Sequence, residues 1–561
     1  MSGKPTIHKV IAAVGVVGLI AAACGGRTVG TPTGGGPQLG VTTRAGTKPV
    51  DKVVWAVYRD VNSLDPLYAF DYPENTTDSL LYESLLRQGP DGSIGPGLAT
   101  LKTPDPTTMV FTLKPGIKFW DGSPVTTDDV LFSLGRQTDV KLAGFYPAIF
   151  SRVQPGGITA TGTNEVTIKL QQPDYWFQAE MAAIPGMIVE KQFVISQGTN
   201  YGTPAGKVMG TGSYKFQSWQ PGVAVIVLRN DSYWNPAVKP LVREIDIKGI
   251  PGDAELTNAL LTGSVNGAYT QTFSTLDKLK ANPSLTVTYG PGWYTDAFIV
   301  DNLNGPLGDV RVRQALSLAL DRQGLIDAIY RGAAVLPRWL SNRGTFGYGK
   351  GVFDAAYNAA PDMTQDIAKA KQLVIDAGAT GKTITVGMSL ALNGITVESG
   401  ALQKAAQLIG MKVKLHSVSA DNFINFFIDP KARAGIDGFF TLNYGDYAGP
   451  EALLATLLVP DGSQNYSGYG RTTPYAPGWP TDPKAANDSQ AAAMMDDARS
   501  TADPNARAQK VADLEKLIAT DLPWIPMVQP YSVLVTSANL SGTYSSFAYM
   551  FAPWADKLGG I

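Results

Sequence analysis

The length of the globular part of the chain is the feature that most constrains its fold. From about Val53 to the C-terminus, roughly 510 of the 561 residues contain no compositionally biased tract and no apolar run long enough to cross a membrane. A single hydrophobic core stops growing at about 250–300 residues, so two or three lobes are expected. Strand-like and helical patterns alternate along this stretch, which is typical of α/β lobes.

The first 23 residues have the pattern of a secretory signal peptide. Lys4 and Lys9 supply a positive start, and the apolar run from Val10 to Ala23 is too short to span a bilayer. The sequence Ala-Ala-Ala-Cys at 21–24 resembles the lipobox of bacterial lipoproteins, in which the cysteine becomes a lipid-modified N-terminus. Because Cys24 is the only cysteine, an internal disulfide is excluded and a lipid anchor is expected. Ordinary signal cleavage beside an incidental cysteine is the alternative.

Residues 24–50 are predicted to form the lipidated cysteine and a flexible linker. The segment after Cys24 is rich in glycine, threonine and proline and has no apolar period. As a glycine-rich coil it would reach about 25–30 Å, which would hold a globular body near a membrane.

The composition argues against several classes of function. The net charge is −2, and it becomes −4 when Lys4 and Lys9 leave with the signal peptide, so no nucleic-acid partner is expected. After cleavage one histidine remains, His416, which is too few for a multi-histidine metal cage. No GxSxG elbow accompanies it. We therefore expect no enzyme, no catalytic residue, no metal and no cofactor, and we interpret His416 as a structural residue of a strand.

Local patterns predict individual elements. "MVFTLK" (109–114) and "IKFW" (117–120) alternate as two strands separated by a turn, and Thr126 is placed to cap the helix that follows. "DVRVRQALSLAL" (309–320) predicts a helix capped by Asp309, with one apolar face and with Arg311 and Arg313 pointing elsewhere. "IAKAKQLVIDAG" predicts a further helix, and "TITVGMSL" and "MKVKLHSVSA" predict strands.

The order of these elements resembles one known family. "LKPGIKFWDGSPVTTDDVLFSL" (113–134) is similar to the fingerprint of the family 5 extracellular solute-binding proteins, the oligopeptide-, dipeptide- and nickel-binding receptors of ABC importers. Further matching segments follow in the family's order: "NSLDP" (62–66), "LYESLLR" (81–87), "GTGSYKFQSWQPG" (210–222), "LRNDSYWN" (228–235), "DVRVRQALSLALDRQGLI" (309–326), "NYSGYG" (465–470) and "EKLIATDLPWIPMVQPY" (515–531). The resemblance runs from about residue 51 to the C-terminus.

The resemblance implies a periplasmic-binding-protein-like α/β fold of type II, similar to cluster C. Two lobes joined by a hinge would close over a ligand, and an extra domain would accompany them. Three parts are implied: lobe I (51–67, 206–297 and 527–561), domain II (68–205) and lobe III (298–526).

The implied function is that of a monomeric receptor that captures an oligopeptide or a similar small solute and delivers it to an ABC permease. It would be lipid-anchored on the outer face of the cytoplasmic membrane. Two alternatives remain open, a secreted hydrolase that uses His416 and a lipoprotein that keeps the fold for a structural or signalling role.

The resemblance also implies ligand-binding residues. In peptide-binding relatives a strand ends in Gly-Trp-x-x-Asp-Tyr, and the aspartate takes the amino terminus of the peptide. Asp446 and Tyr447 match the Asp-Tyr pair, while Leu442 and Asn443 stand in the Gly-Trp positions, so that an aromatic wall becomes a polar amide. A carboxylate facing an ammonium in a closed cleft would form a charge-assisted hydrogen bond, and a simple turn is the alternative. The candidates named from position alone are Tyr68, Tyr72, Trp293, Tyr466 and Arg471, with Phe70, Tyr294, Tyr469 and Arg338 beside them, and packing or solvation is the alternative for each.

Overall fold

A computed structural model describes residues 36–270, 273–389, 393–423, 425–458, 464–471 and 485–561. The predicted signal peptide and Cys24 lie outside these residues. None of the helices described is both long enough and apolar enough to cross a membrane.

The strands within the described residues are β1 (Val50–Val57), β2 (Leu86–Gln88), β3 (Ile94–Pro96), β4 (Ala99–Asp105), β5 (Thr108–Leu113), β6 (Val153–Gly162), β7 (Glu165–Leu170), β8 (Tyr214–Gln220), β9 (Ala224–Arg229), β10 (Val242–Gly249), β11 (Gly267–Tyr269), β12 (Leu285–Gly290), β13 (Tyr294–Val300), β14 (Ala334–Val335), β15 (Thr383–Ser389), β16 (Lys412–Val418), β17 (Gly438–Tyr444), β18 (Trp524–Pro530), β19 (Ser532–Ser537), β20 (Leu540–Ser541) and β21 (Gly559–Gly560). The α-helices within the same residues are α1 (Tyr72–Leu81), α2 (Thr127–Thr138), α3 (Phe177–Glu180), α4 (Lys191–Gln197), α5 (Asp253–Thr262), α6 (Leu276–Lys280), α7 (Val310–Ala319), α8 (Arg322–Leu325), α9 (Lys350–Ala359), α10 (Ile367–Asp376), α11 (Asn393–Leu408), α12 (Ala420–Phe423), α13 (Asn425–Ile428), α14 (Pro450–Leu458), α15 (Ala485–Arg499) and α16 (Pro504–Asp521).

Three larger sheets organise these elements. A seven-stranded sheet has the order β12-β19-β11-β1-β10-β9-β8, and a six-stranded sheet has the order β14-β18-β13-β17-β15-β16. A four-stranded antiparallel sheet, β4-β5-β7-β6, carries its own hydrophobic cluster around Phe111, Ile168 and Phe177. Since β1 pairs in parallel with β10 and β11 while its sheet also contains antiparallel pairs, the architecture is mixed α/β.

Within the residues that the structure describes, the chain passes between the two large sheets at two points. Residues 291–293 connect β12 to β13, and Tyr531 connects β18 to β19. These crossings lie a few residues from the predicted lobe boundaries at 297/298 and 526/527. The division into lobe I, domain II and lobe III stays a prediction, and the three names are used below for the segments given above.

The predicted flexible linker is corrected for its second half. The backbone N–H of Gly40 donates to the carbonyl of Tyr289 at 2.9 Å, and that of Thr43 donates to Thr543 at 2.9 Å. Lys48 forms an isolated bridge with Gly560. Residues 40–48 are therefore bound to the globular body, because β12 and the C-terminal segment offer free backbone groups that composition alone does not reveal.

Most local predictions are confirmed. Thr126 caps α2 in a reciprocal capping box with Asp129, and Asp309 caps α7 by accepting the N–H of Arg311. The predicted strands and helix at 109–114, 367–376, 383–389 and 412–418 appear as β5, α10, β15 and β16.

Two local predictions are wrong. "IKFW" buries Ile117 and Phe119 in alternation but forms only an isolated bridge, Lys118 to Pro124, so it is not a strand. Arg313 was expected to point away from the core, yet it is buried, and its guanidinium donates to the carbonyls of Leu307 and Asp521 at 2.7 Å each.

Candidate functional site: the contact between domain II and lobe III

The loop that follows β17 carries the predicted ligand pair. Asp446 lies four residues before the start of α14, and Tyr447 lies three residues before it. Gln88 of domain II donates a side-chain N–H to the backbone carbonyl of Asp446 at 2.7 Å. Gly92 of domain II has a φ of +79°, and a Cβ added there would lie 2.3 Å from the Cβ of Ala448. Only glycine therefore permits domain II to approach this loop so closely.

Asp446 shares its surroundings with a second carboxyl group. Burial raises the pKa of Asp446 to about 7. Burial also raises the pKa of Glu180, at the end of α3, and the charge of Asp446 raises it further. One oxygen of Glu180 is buried and has no hydrogen-bond partner in the described part of the chain. Burial disfavours the charged form of both carboxyl groups, and a cationic group placed beside them would offset that cost.

The pKa of Tyr146 is affected both by the Asp446 and Glu180 carboxyl groups and by a carboxyl group of α1. Burial raises it first, and the charges of Asp446, Glu180 and Asp78 raise it further. Asp78 is fully buried in α1, and neither of its oxygens has a hydrogen-bond partner among the described residues. The oxygen and the nitrogen of the buried Asn75 side-chain amide also have no hydrogen-bond partner among the described residues. Carboxyl groups from α1, α3 and the 446 loop are therefore close enough to Tyr146 to affect its pKa.

A cavity of about 200 Å³ lies beside the same loop. Residues of domain II form one wall and residues of lobe III form the other. The side chains that matter most to its chemistry are Trp176, Tyr348, Tyr447, Glu451 and Arg507. Burial raises the pKa of Glu451 to about 7, and Tyr348 donates its hydroxyl to that carboxyl group at 2.9 Å.

Two ion pairs hold domain II against lobe III at the edge of the site. Arg499 of α15 pairs with the buried Asp174, and its backbone carbonyl accepts the N–H of Tyr175 at 3.0 Å. Arg152 of domain II pairs with Asp496 of α15. These contacts join the two walls of the cavity.

Comparison with known proteins identifies the family. The family model described as "Bacterial extracellular solute-binding proteins, family 5 Middle" matches residues 93–465, about two thirds of the chain. The chain belongs to this family. Its members are extracellular solute-binding proteins, so the resemblance stated from the sequence is confirmed.

Individual relatives agree with this assignment. The chain is 28% identical over 430 residues to the periplasmic murein peptide-binding protein MppA of Escherichia coli K12, covering 72% of this chain and 77% of that protein. It is 25% identical over 437 residues to the periplasmic oligopeptide-binding protein OppA of Salmonella typhimurium, covering 73% and 77%. The solved structure of the periplasmic binding protein DppA of Helicobacter pylori in complex with the peptide STSA has a TM-score of 0.76 at 21% identity, covering 91% of this chain and 98% of that one. The predicted fold class is confirmed.

Of the predicted site residues of this solute-binding protein, Trp293 lies in the first crossing between the large sheets and Tyr72 packs against Tyr444 of β17. The ring of Tyr72, which opens α1, lies 5.0 Å from that of Tyr444, and its hydroxyl is buried without a partner in the described residues. Trp293 is buried in the first crossing and stacks on Phe551 at 6.2 Å. Tyr444 also donates its hydroxyl to the carbonyl of Phe70 at 2.6 Å, which connects lobe III to domain II.

The remaining predicted residues are not among those that line the cavity. Tyr68 is 39% exposed and donates to the carbonyl of Leu142. The Asn443 amide donates to Gln464 at 3.0 Å. Tyr466 is buried in lobe III between Phe439 and Trp524, and Arg471 is buried in the neighbouring loop. Their role in ligand binding stays a prediction.

The other residues considered in the sequence analysis, Arg338, Tyr469 and His416, are not among the cavity-lining residues. Arg338 pairs with Asp362 at the surface, and Tyr469 donates to Asp521 at 2.8 Å. His416 is exposed on the edge strand β16 and is not one of the cavity-lining residues. No cluster of three or more potential metal-ligating side chains occurs among the residues described.

Sequence reasoning missed Trp176, Glu180, Glu451 and Arg507. Each belongs to a local pattern that looks like ordinary helix or turn sequence, and the fold brings them together from distant parts of the chain. The adjacent aromatic pair Tyr175-Trp176 before a short helix is the one local signal that could have drawn attention to this wall.

Proposed function

We propose that this protein is the lipid-anchored receptor of an ABC importer and that it captures a peptide with a free amino terminus between its lobes. The observation that carries the proposal is the carboxyl group of Asp446, held with Glu180 at the closed contact between domain II and lobe III. Membership of the solute-binding family supports the receptor role. The names of two relatives, a murein peptide-binding and an oligopeptide-binding protein, support a peptide as the ligand class.

The proposed mechanism is capture by closure. The ligand ammonium would bind the Asp446 carboxylate and relieve its unfavourable burial with a charge-assisted hydrogen bond. Contacts across the interface, such as Arg499 with Asp174 and Arg152 with Asp496, exist only when domain II lies on lobe III. A ligand that favours this arrangement shifts the population toward it, and a permease that distinguishes the two arrangements would receive the loaded receptor. The receptor would act as a monomer on the extracytoplasmic side of the membrane.

Replacing Asp446 tests the peptide-binding role. Asp446→Asn should weaken binding of a free-amine tripeptide by about 1.5–3 kcal/mol, the contribution of a hydrogen bond to a charged group. Isothermal titration calorimetry would measure it, with the N-acetylated tripeptide as the matched ligand. The acetylated peptide should bind the wild type weakly and should bind the variant equally weakly. An unchanged affinity of Asp446→Asn for the free-amine peptide, with circular dichroism intact, removes Asp446 from the site.

Replacing Cys24 tests the anchor. Cys24→Ala should move the protein from the membrane fraction of the expressing cell to the soluble extracytoplasmic fraction, because the proposed lipid attachment point is gone. A matched variant, Thr28→Ala, should remain with the membrane. Persistent membrane association of Cys24→Ala would contradict the lipid anchor without affecting the proposed ligand.

A further inference from the structure

Two acids and a tyrosine form a buried cluster in the six-stranded sheet and the segments packed on it. Asp296 belongs to β13, Glu398 belongs to α11, and Tyr330 ends the turn that follows α8. All three side chains are buried. The hydroxyl of Tyr330 donates to a carboxyl oxygen of Asp296 and lies 3.1 Å from Oε1 of Glu398, and the two carboxyl groups also hydrogen-bond to each other. The cluster therefore connects three elements that are distant in sequence.

These contacts need a proton on one of the carboxyl groups. The hydroxyl of Tyr330 has one proton to donate, whereas an ionised carboxyl group only accepts hydrogen bonds. The hydroxyl proton serves the contact to one acid, so the contact to the other acid and the contact between the two acids need a further donor. A protonated carboxyl group supplies that donor, because it carries an O–H. Asp296 and Glu398 therefore hold at least one proton between them in the arrangement that the structure shows.

Neither carboxyl group forms an ion pair with a basic side chain among the described residues, so no such cation replaces the proton. The other charged groups on and beside the elements that pack against the cluster have partners of their own or are exposed, namely Arg311 (paired with Asp309), Arg313 and Arg322 (bonded to carbonyl groups), Arg331 (paired with Asp277), Arg433 (paired with Asp301), and the exposed Asp327, Lys404, Lys412, Lys414 and His416. Burial raises the pKa of both acids, and the charge of Asp296 raises the pKa of Glu398 further. The two groups therefore titrate as one unit, and they release their shared proton at a higher pH than exposed carboxyl groups do.

Tyr330 also forms a contact between the two large sheets. Its ring centre lies 4.8 Å from that of Phe273, which lies between β11 and β12 of the seven-stranded sheet. Three residues after Tyr330, the carbonyl of Ala333 accepts the backbone N–H of Tyr531 at 2.9 Å. Tyr531 is the residue that connects β18 to β19. The tyrosine that the acids hold is therefore in contact with the part of the chain that carries the other sheet, beside the second crossing.

We propose that Asp296, Glu398 and Tyr330 form a proton-dependent latch between the two large sheets, which holds them together while the acids share a proton and loosens when that proton is lost. Loss of the proton places two carboxylates side by side away from water and leaves the hydrogen bond between them without a donor. Exposure of the acids to water relieves this cost and moves the ring of Tyr330 away from Phe273. The latch goes beyond the proposed function, because it acts in the ligand-free protein and does not depend on which ligand is bound.

The sign of the pH dependence follows from the protons bound in each state. When the latch is open and the acids are hydrated, their pKa values are the ordinary ones of about 3.9 and 4.3, so both are ionised above about pH 5. When the latch is formed they keep a proton. Latching therefore takes up a proton, and its equilibrium constant falls about tenfold per pH unit above pH 5 until the latched pair loses the proton as well.

Hydrogen exchange followed by mass spectrometry tests the latch in the purified ligand-free protein between pH 5 and 9. The reporters are the backbone amides of residues 326–334, beside the acids, and of residues 273–281, on the other side of the contact. Their protection factors, which correct for the intrinsic pH dependence of exchange, should fall about tenfold per pH unit over part of this range in both segments. Residues 165–170 of β7, in the separate four-stranded sheet, serve as the internal reference and should change by about twofold per pH unit or less.

A conservative variant keeps a donor without a titrating proton. In Glu398→Gln the side-chain NH₂ group can donate to Asp296, which can then stay ionised, so the slope in residues 273–281 should fall to about twofold per pH unit or less. Glu515→Gln is the matched control, because Glu515 is also a buried carboxyl group with a raised pKa but does not belong to the cluster. It should retain the wild-type slope.

A second variant covers the case in which Glu398→Gln does not fold. Tyr330→Phe keeps the ring beside Phe273 but removes the hydroxyl that connects it to the acids, and should remove the slope in residues 273–281. A wild-type slope that is absent there, or that is confined to residues 326–334, overturns the latch, because the acids then act only on their own surroundings. A slope that persists in both variants overturns it as well. Since the measurement uses no ligand, each of these results leaves the proposed peptide receptor standing, and a failure of peptide binding leaves the latch standing.

Discussion

Two fully buried carboxyl groups, one in lobe III and one in α1, are treated in opposite ways by the fold. Glu515 of α16 accepts the backbone N–H groups of Leu340 and Ser341 at 3.1 and 3.2 Å, one on each oxygen. The side-chain carboxyl group of Asp78 in α1 accepts no hydrogen bond within the described residues. Burial raises the pKa of Glu515 to about 7 and that of Asp78 well above its ordinary value. The lobe III scaffold satisfies its buried charge, and the helix beside the candidate site does not.

Buried cations show the same difference. Arg322, in the lobe III core, is 2% exposed and makes five hydrogen bonds to oxygens of Ser317, Met363 and Pro526. Arg507, in the cavity wall, leaves its Nε without an acceptor in the described chain. Completed hydrogen bonds stabilise a scaffold, whereas a buried polar group without a partner costs stability unless a ligand or a water satisfies it.

Replacing a buried group whose hydrogen bonds are complete should have the largest effect on stability. Arg322→Met would remove the guanidinium donor from three buried carbonyl groups, and should lower the free energy of unfolding by about 3–5 kcal/mol. Chemical denaturation would measure the loss. Peptide affinity of the folded fraction should stay unchanged, because Arg322 belongs to the scaffold.

The control for Arg322 is an exposed arginine. The Arg243 side chain is 55% exposed and pairs with the exposed Asp51, so Arg243→Met should change the free energy of unfolding by about 1 kcal/mol or less. Equal effects of the two substitutions would show that the five hydrogen bonds of Arg322 do not stabilise the core as argued.

The pH dependence of peptide binding tests the role of Asp446 in the candidate site. The pKa of Asp446 is raised to about 7 in the ligand-free protein, and an ammonium favours the charged carboxylate. Binding must therefore release a proton below pH 7, so affinity should rise about tenfold per pH unit between pH 5 and 7. It should level off near pH 7 and fall once the peptide amino group titrates at about 7.7–8.0.

Titrations at several pH values measure this slope directly. The Asp446→Asn variant provides the reference, because it cannot ionise and should lose most of the dependence between pH 5 and 7. A wild-type profile that is flat over that range would contradict the assignment of Asp446 as the ammonium ligand.

Local elements of the fold could be predicted because their signals are local. Thr126 and Asp129 form a capping box within four residues, and the apolar face of α7 repeats every three or four positions. "IKFW" has the alternation of a strand but finds no partner strand for a ladder. Neither the docking of residues 40–48 nor the burial of Arg313 could be predicted, since both depend on carbonyl groups far away in the sequence, such as those of Tyr289 and Asp521.

The candidate site shows the same limit. Asp446 and Tyr447 were found through a family motif that lies in one short segment. Trp176 belongs to the domain II wall of the cavity and Arg507 belongs to the lobe III wall. No local sequence pattern connects these two residues, because only the packing of domain II against lobe III brings them together. Asp78 and Asn75 look like ordinary polar positions of an exposed helix, and only the fold shows that both are buried.

Asp78 itself is expected to affect stability with the sign that the comparison requires. The raised pKa means that folded Asp78 keeps its proton while the unfolded chain loses it above about pH 3.9. Its contribution to stability therefore declines as pH rises from there toward its folded pKa. Asp78→Asn never ionises, so it should stabilise the ligand-free protein at pH 7.5 and stabilise it less at pH 5.

The matched substitution in the scaffold should act in the opposite direction. Glu515→Gln replaces an acceptor oxygen with an NH₂ group facing the N–H of Leu340 or Ser341, and should destabilise by about 1–3 kcal/mol at pH 7.5. Chemical denaturation of both variants at pH 5 and 7.5 compares the two carboxyl groups under identical conditions. If Asp78→Asn destabilises as Glu515→Gln does, Asp78 has a partner in the folded protein and α1 is scaffold, not part of a prepared site.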